Sequence, residues 1–156
     1  MEQQFLTYIE AHQGLLYKVC RTFEAEREAQ RDLYQEIVLQ LWRAFPRFDG
    51  RAQWSTWAYR IALNVAITQR RRRRMPTIEL SERPETAMPD TAAGPDALEV
   101  LYRAITQLND AEKALILLHL DDLPYSEIAE ITGLTENHVG VKLSRIKSKL
   151  KTLIRT

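Results

Sequence analysis

Arg70 to Arg74 are five consecutive arginines in a 156-residue chain whose formal net charge is only +1. Guanidinium groups at that density suit one task above others: they neutralise phosphates, each contact releasing counterions from a nucleic acid. Lys142, Arg145, Lys147 and Lys149 form a second cationic run. Residues 43–74 sum to +8 and residues 135–156 to +5, whereas residues 1–42, 75–99 and 100–134 sum to −3, −5 and −4. Because the screening length at physiological salt is ~8 Å, attraction is local, and two basic patches on an otherwise acidic molecule predict a polyanion touched at two places. Bond-making chemistry has no such footing. Glycine-rich phosphate loops, His or Cys clusters with ligand spacing and nucleophile motifs are all missing, so no enzymatic activity, metal or cofactor is expected. Asp121 and Asp122 are adjacent and read as a polar turn rather than an acid–base pair. Cys20 has no second cysteine to pair with, which fits a reducing cytoplasm. The N-terminus has no basic start followed by an apolar stretch, and no run approaches the ~18 apolar residues of a membrane span, so neither export nor membrane insertion is expected.

Helices must position these charges, because helical spacing recurs along the chain and no strand alternation does. Phe5, Ile9, Leu16, Val19 and Phe23 suggest a first helix with Gly14 as a blemish or bend. Leu33, Ile37, Leu41, Trp42 and Phe45 give a second, ended by Pro46. After the turn residues 47–51 (RFDGR), a third carries an expected buried stripe of Trp54, Trp57, Ala58, Ile61 and Val65 and runs into the arginines. Residues 75–97 hold four of the six prolines, are acidic and nearly lack large apolar side chains. They read as a flexible linker, with a second possible role as an acidic strap over a basic surface.

Beyond it, Leu98, Leu101, Ile105 and Leu108 form a stripe, and Asn109 with Glu112 has the spacing of a capping box for a helix through Leu120. The segment LPYSEIAEITGLTENHVGVKLSRIKSKL, residues 123–150, then has the anatomy of a helix-turn-helix. Its short first helix bears Ile128, Ala129 and Ile131, the turn falls at Gly133, and Thr135 caps a long second helix with Val139, Leu143, Ile146 and Leu150 inward. Lys142, Arg145 and Lys149 lie outward, as a helix in the major groove requires. The fold expected is all-α: two small helical domains joined by a flexible linker, the C-terminal one containing the helix-turn-helix.

Residues 32–74 (DLYQEIVLQLWRAFPRFDGRAQWSTWAYRIALNVAITQRRRRR) resemble the second region of bacterial extracytoplasmic-function sigma factors of the sigma-70 family. Residues 108–150 resemble their fourth, in the family's order and about thirty residues further on. The resemblance implies three domain assignments: residues 1–75 as region 2, 76–97 as the acidic linker and 98–156 as region 4. It implies core RNA polymerase as a partner, the coiled coil of the largest subunit meeting Asp32, Gln35 and Glu36, with Leu39 and Trp42 one to two turns on. It implies promoter DNA as the second. Around the minus-ten element an unstacked base would enter a pocket lined by Phe48, Tyr59 and Asn64, the aromatic rings offering a wall and the amide an edge. Asn64 is expected on a face with Tyr59, Arg60 and Ile67, while Arg70 and Arg71 grip phosphates at a helix C-terminus that favours positive charge. Trp54 and Trp57 are expected in the core.

At the minus-thirty-five element the reader would be the last helix, with Thr135 and His138 near its start, Lys142 and Arg145 facing bases or phosphates, and Lys147 and Lys149 on outer phosphates. Gly140 and Val141 depart from the basic residue and serine common in the family; glycine inside a helix costs ~1 kcal/mol against alanine and offers no donor. An anti-sigma factor is the further partner implied. The rival reading is a helix-turn-helix regulator that never becomes a polymerase subunit.

Overall fold

The computed structural model describes residues 1–74 and 96–155, and every regular element among them is helical. The expected linker therefore lies outside the described residues, except that Asp96 and Ala97 open the first helix after it.

The N-terminal half comprises α1 (Glu2–Ala11), α2 (Gln13–Phe23), α3 (Arg27–Ala44), a single 3₁₀ turn (Phe45–Arg47) and α4 (Trp54–Arg74). The single first helix expected from the sequence is two. The break falls at His12, whose φ of −122° and ψ of 23° leave the helical region, while its Nδ1 lies 2.9 Å from the Tyr8 carbonyl and satisfies an orphaned helix end. Leu16, Val19, Cys20 and Phe23 of α2 meet Leu33, Ile37 and Leu41 of α3, all at 1% exposure or less. Burying an aliphatic or aromatic side chain of this size contributes roughly 1.5–3 kcal/mol.

α4 is rotated from its expected stripe. Its buried residues are Trp54, Thr56, Ala58, Tyr59, Ala62, Leu63 and Ala66, with Trp57, Ile61 and Val65 half-buried at the margin. Alanines at 58, 62 and 66 leave a flat strip that lets α2 and α3 approach closely, which a stripe of larger residues would prevent.

The C-terminal half comprises α5 (Ala97–Thr106), α6 (Asp110–Leu120), α7 (Tyr125–Thr132) and α8 (Glu136–Arg155). Each terminus follows from a local residue. Asp96 caps α5 by accepting from the Glu99 amide, and Asn109 and Glu112 exchange the two hydrogen bonds of a capping box, 2.9 and 3.0 Å. Gly133 ends α7 at φ 79°, in the left-handed region where a Cβ is costly. Thr135 accepts from the His138 amide at 3.2 Å to start α8. Ile128, Val139, Leu143 and Ile146 then close the helix-turn-helix core.

The two halves pack on each other. α2 lies against α5 and α6, and α4 against α7, so the apolar core runs continuously through both.

Candidate nucleic-acid and protein interfaces

The seam between the halves holds much of the charge that the sequence assigns to DNA. Tyr59 is 1% exposed and donates its phenolic O–H to Asp121 Oδ2. Burial first, and this hydrogen bond second, raise its pKa well above the ordinary tyrosine range. Lys18 donates to the other Asp121 oxygen. Arg60 donates to the Glu130 carbonyl at 2.9 Å, with the Glu130 carboxylate 3.5 Å away. Arg70 forks, its Nε on Asp110 at 2.8 Å and its Nη1 on the Phe23 carbonyl at 2.8 Å. Thus α6, α7 and the turn between them supply Asp110, Asp121 and the carbonyl and carboxylate of Glu130 to the basic side of α2 and α4. The acidic block at residues 100–134 is visible in the sequence, whereas the basic surface it meets is set by how the helices pair.

The three residues expected to form one base pocket have different surroundings. Phe48 is half-buried in an aromatic cluster, its ring centroid 5.0 Å from Trp57 and 6.4 Å from both Tyr8 and Phe45. Asn64 is exposed, one turn beyond the exposed Arg60. Tyr59 is five residues before Asn64, which on a helix of 3.6 residues per turn puts them about 140° apart. The shared face expected for them is therefore corrected: Asn64 goes with Arg60, and Tyr59 points into the seam. Trp54 is buried, stacked at 5.4 Å on Tyr8 and 4.7 Å from His12, whereas Trp57 is half-buried. Arg71 is exposed beside the bound Arg70.

On α8, His138, Lys142 and Arg145 are exposed along one outer surface, and Lys147, also exposed, lies about 200° round the helix from Arg145. Thr135 serves as the helix cap, and Lys149 reaches back to Glu112 Oε1 at 3.1 Å. The face is basic and carries two neighbouring apolar groups, Tyr125 at 39% and Val141 at 44% exposure.

A third surface lies between α1 and α3. Phe5, Val38, Leu39 and Trp42 line an open hollow of about 530 Å³, edged by Gln35. Leu39 and Trp42 are 39% and 40% exposed, though Trp42 rests its ring 5.0 Å from Phe5. Asp32 is exposed, and Glu36 accepts from Gln40 at 2.9 Å, so both flank the hollow rather than line it. Large apolar groups left in water beside polar ones mark an interaction surface more than a core.

The Sigma-70 region 2 family profile matches residues 8–75, and the Sigma-70, region 4 profile matches residues 98–150. The ECF RNA polymerase sigma-E factor of Escherichia coli K12 is 30% identical over 143 residues, covering 80% of this chain and 75% of that protein. The ECF RNA polymerase sigma factor SigG of Mycobacterium tuberculosis is 28% identical over 179 residues, covering 96% of this chain; the chain spans about half, 48%, of SigG. Two solved structures share the fold across 99% of this chain at 18% identity. One is the sigma factor RpoE in complex with the anti-sigma factor NepR from Bartonella quintana, with a TM-score of 0.77 and 98% of that chain covered. The other is CnrH in complex with the cytosolic domain of CnrY, with a TM-score of 0.71 and 90% covered. Among the described residues no helix is long and apolar enough to cross a membrane. Matched in both regions, in order and across most of its length, the chain belongs to the extracytoplasmic-function sigma factors of the sigma-70 family.

Proposed function

We propose that the chain binds core RNA polymerase and directs it to promoters by recognising minus-ten and minus-thirty-five elements, with nucleotide addition left to the polymerase. Residues 1–75 act as region 2, residues 76–97 as an acidic linker and residues 98–156 as region 4. The hollow of Gln35, Leu39 and Trp42, with Asp32 and Glu36 at its edge, receives the coiled coil of the largest polymerase subunit. That surface is the observation that carries the proposal. An exposed tryptophan and leucine on the half that lacks the DNA-reading hairpin fit a protein partner for that half.

Promoter contact then divides between the halves. Lys142 and Arg145 meet the minus-thirty-five major groove, with His138, Lys147 and Lys149 on phosphates and Thr135 holding the helix start. Arg60, Asn64, Arg70 and Arg71 meet the minus-ten region, with Phe48 and Tyr59 as aromatic walls. Arg60, Arg70 and Tyr59 cannot serve DNA while they serve Glu130, Asp110 and Asp121, so promoter binding requires the halves to part. Docking on polymerase supplies the free energy for that separation. The closed arrangement holds the basic side of α4 out of reach until then, and an anti-sigma factor prolongs it; two relatives of the same fold are known in complexes of that kind or with a partner's cytosolic domain. The site of action is the cytoplasm, where the polymerase is.

Reconstitution with core polymerase and a library of random promoters tests this. The expected outcome is co-elution with core enzyme and selected start sites with two upstream elements. Tight duplex binding without any affinity for core would instead identify the regulator reading.

A further inference from the structure

The outer face of α8 contains a feature that a phosphate-gripping surface does not need. Tyr125, from the start of α7, Gly140 and Val141 form the apolar side of an open hollow of about 540 Å³ whose other walls are Glu136, Asn137, Ser144 and Arg145. The glycine is what makes the hollow's wall: a Cβ at position 140 would lie 3.3 Å from Cε2 of Tyr125 and 3.8 Å from Cδ2. A Cβ there would make the ring give by a few tenths of an ångström. The helix therefore accepts its least favourable non-proline residue so that the ring can lie against its backbone. Beside the ring stands Val141, an aliphatic side chain 44% exposed and one turn before the cationic Arg145.

In the major groove, the apolar group that the Tyr125–Val141 side of this hollow can meet is the C5-methyl of thymine. We infer that Val141 and Tyr125 form a thymine-reading notch in the minus-thirty-five contact, with Gly140 as the residue that keeps it open. Arg145 is four residues beyond Val141 and so on the same face, about 6 Å along the helix axis. The preferred element accordingly places a thymine about one or two base pairs from the base or phosphate that Arg145 contacts. The inference rests on the proposed function and names the sequence preference of its region 4. It also accounts for the departure at positions 140 and 141: polar contacts have been exchanged for a hydrophobic one.

Holoenzyme reconstituted from core polymerase and the full chain tests it on promoters in which each minus-thirty-five thymine is replaced singly by deoxyuridine, which removes only the methyl group. At one position the wild type is expected to lose about fourfold in affinity, the factor that withdrawing one methyl-sized contact gives. Val141→Ser should bind the thymine and uracil promoters equally. Gly140→Ala should also lose most of the discrimination while keeping or raising thermal stability, which separates the notch from helix integrity. Equal binding of thymine and uracil by the wild type at every position, with run-off transcription intact, overturns the notch alone. Persistence of the uracil penalty in Val141→Ser overturns it as well. Absence of transcription from every promoter removes the sigma reading and the notch with it.

Discussion

Tyr59 and Cys20 show how burial changes what a side chain can do. The Tyr59 hydroxyl binds a carboxylate in the seam, and hydrogen bonds to charged groups contribute more than neutral ones, so Tyr59→Phe should lower stability in urea unfolding by about 2 kcal/mol. The pH dependence has a definite sign. Tyr59 holds its proton more tightly in the packed protein than in the unfolded chain, so this contribution is whole below the ordinary tyrosine pKa of 10.0 and declines as pH rises above it. Stability of the wild type should therefore fall above that pH more steeply than that of Tyr59→Phe. Cys20, 1% exposed, has its thiol pushed up to about 12, by burial first and the Glu24 charge second. Iodoacetamide at neutral pH should leave it unmodified until the chain unfolds; alkylation at the rate of a free thiol would contradict the packing of α2.

Among the elements, the helix ends were the most legible part of the sequence because each is set by residues within four positions. Asn109 with Glu112, Gly133 and Thr135 could be read directly, and Asn109→Ala should cost roughly 1 kcal/mol in thermal or urea unfolding. Gly133→Ala should cost a similar roughly 1 kcal/mol, since φ of 79° suits no other common residue as well. The break at His12 was not legible: the only punctuating residue nearby is Gly14, which lies inside α2, and the break rests on a histidine turned back onto Tyr8. The face of α4 was misread for a related reason. Trp54, Trp57, Ile61 and Val65 fall at helical spacing on one side of that helix, but the tightly packed strip is alanine, and which way it turns depends on two other helices and on Asp121, 62 residues from Tyr59. Pattern within an element is visible in sequence; the pairing of one element with another is not. The outward cationic side of α8 was legible because it is set by spacing within one helix.

For the whole molecule, segregated charge explains why a nearly neutral chain can serve a polyanion. The acids of α6, α7 and the turn between them lie against the basic side of α2 and α4, and most of these ion pairs are solvent-exposed and individually weak. The Arg70–Asp110 pair is the more sheltered, at 24% and 12% side-chain exposure. Asp110→Asn combined with Asp121→Asn should therefore expand the free chain in small-angle scattering and raise its affinity for nonspecific DNA several-fold at low salt. Trp42→Ala should instead weaken binding to core polymerase by roughly 2 kcal/mol, as removal of a central aromatic anchor does, without changing the radius of the free chain. The most direct test is a distance between the halves. Donor and acceptor dyes on Arg43→Cys and Lys151→Cys, both exposed positions, with buried Cys20 left in place, report it in the same preparation used for run-off transcription. Energy transfer should be high in the free chain and fall when core polymerase is added, as promoter-dependent transcripts appear; transfer unchanged by core, or transcripts made while the halves stay together, would contradict it.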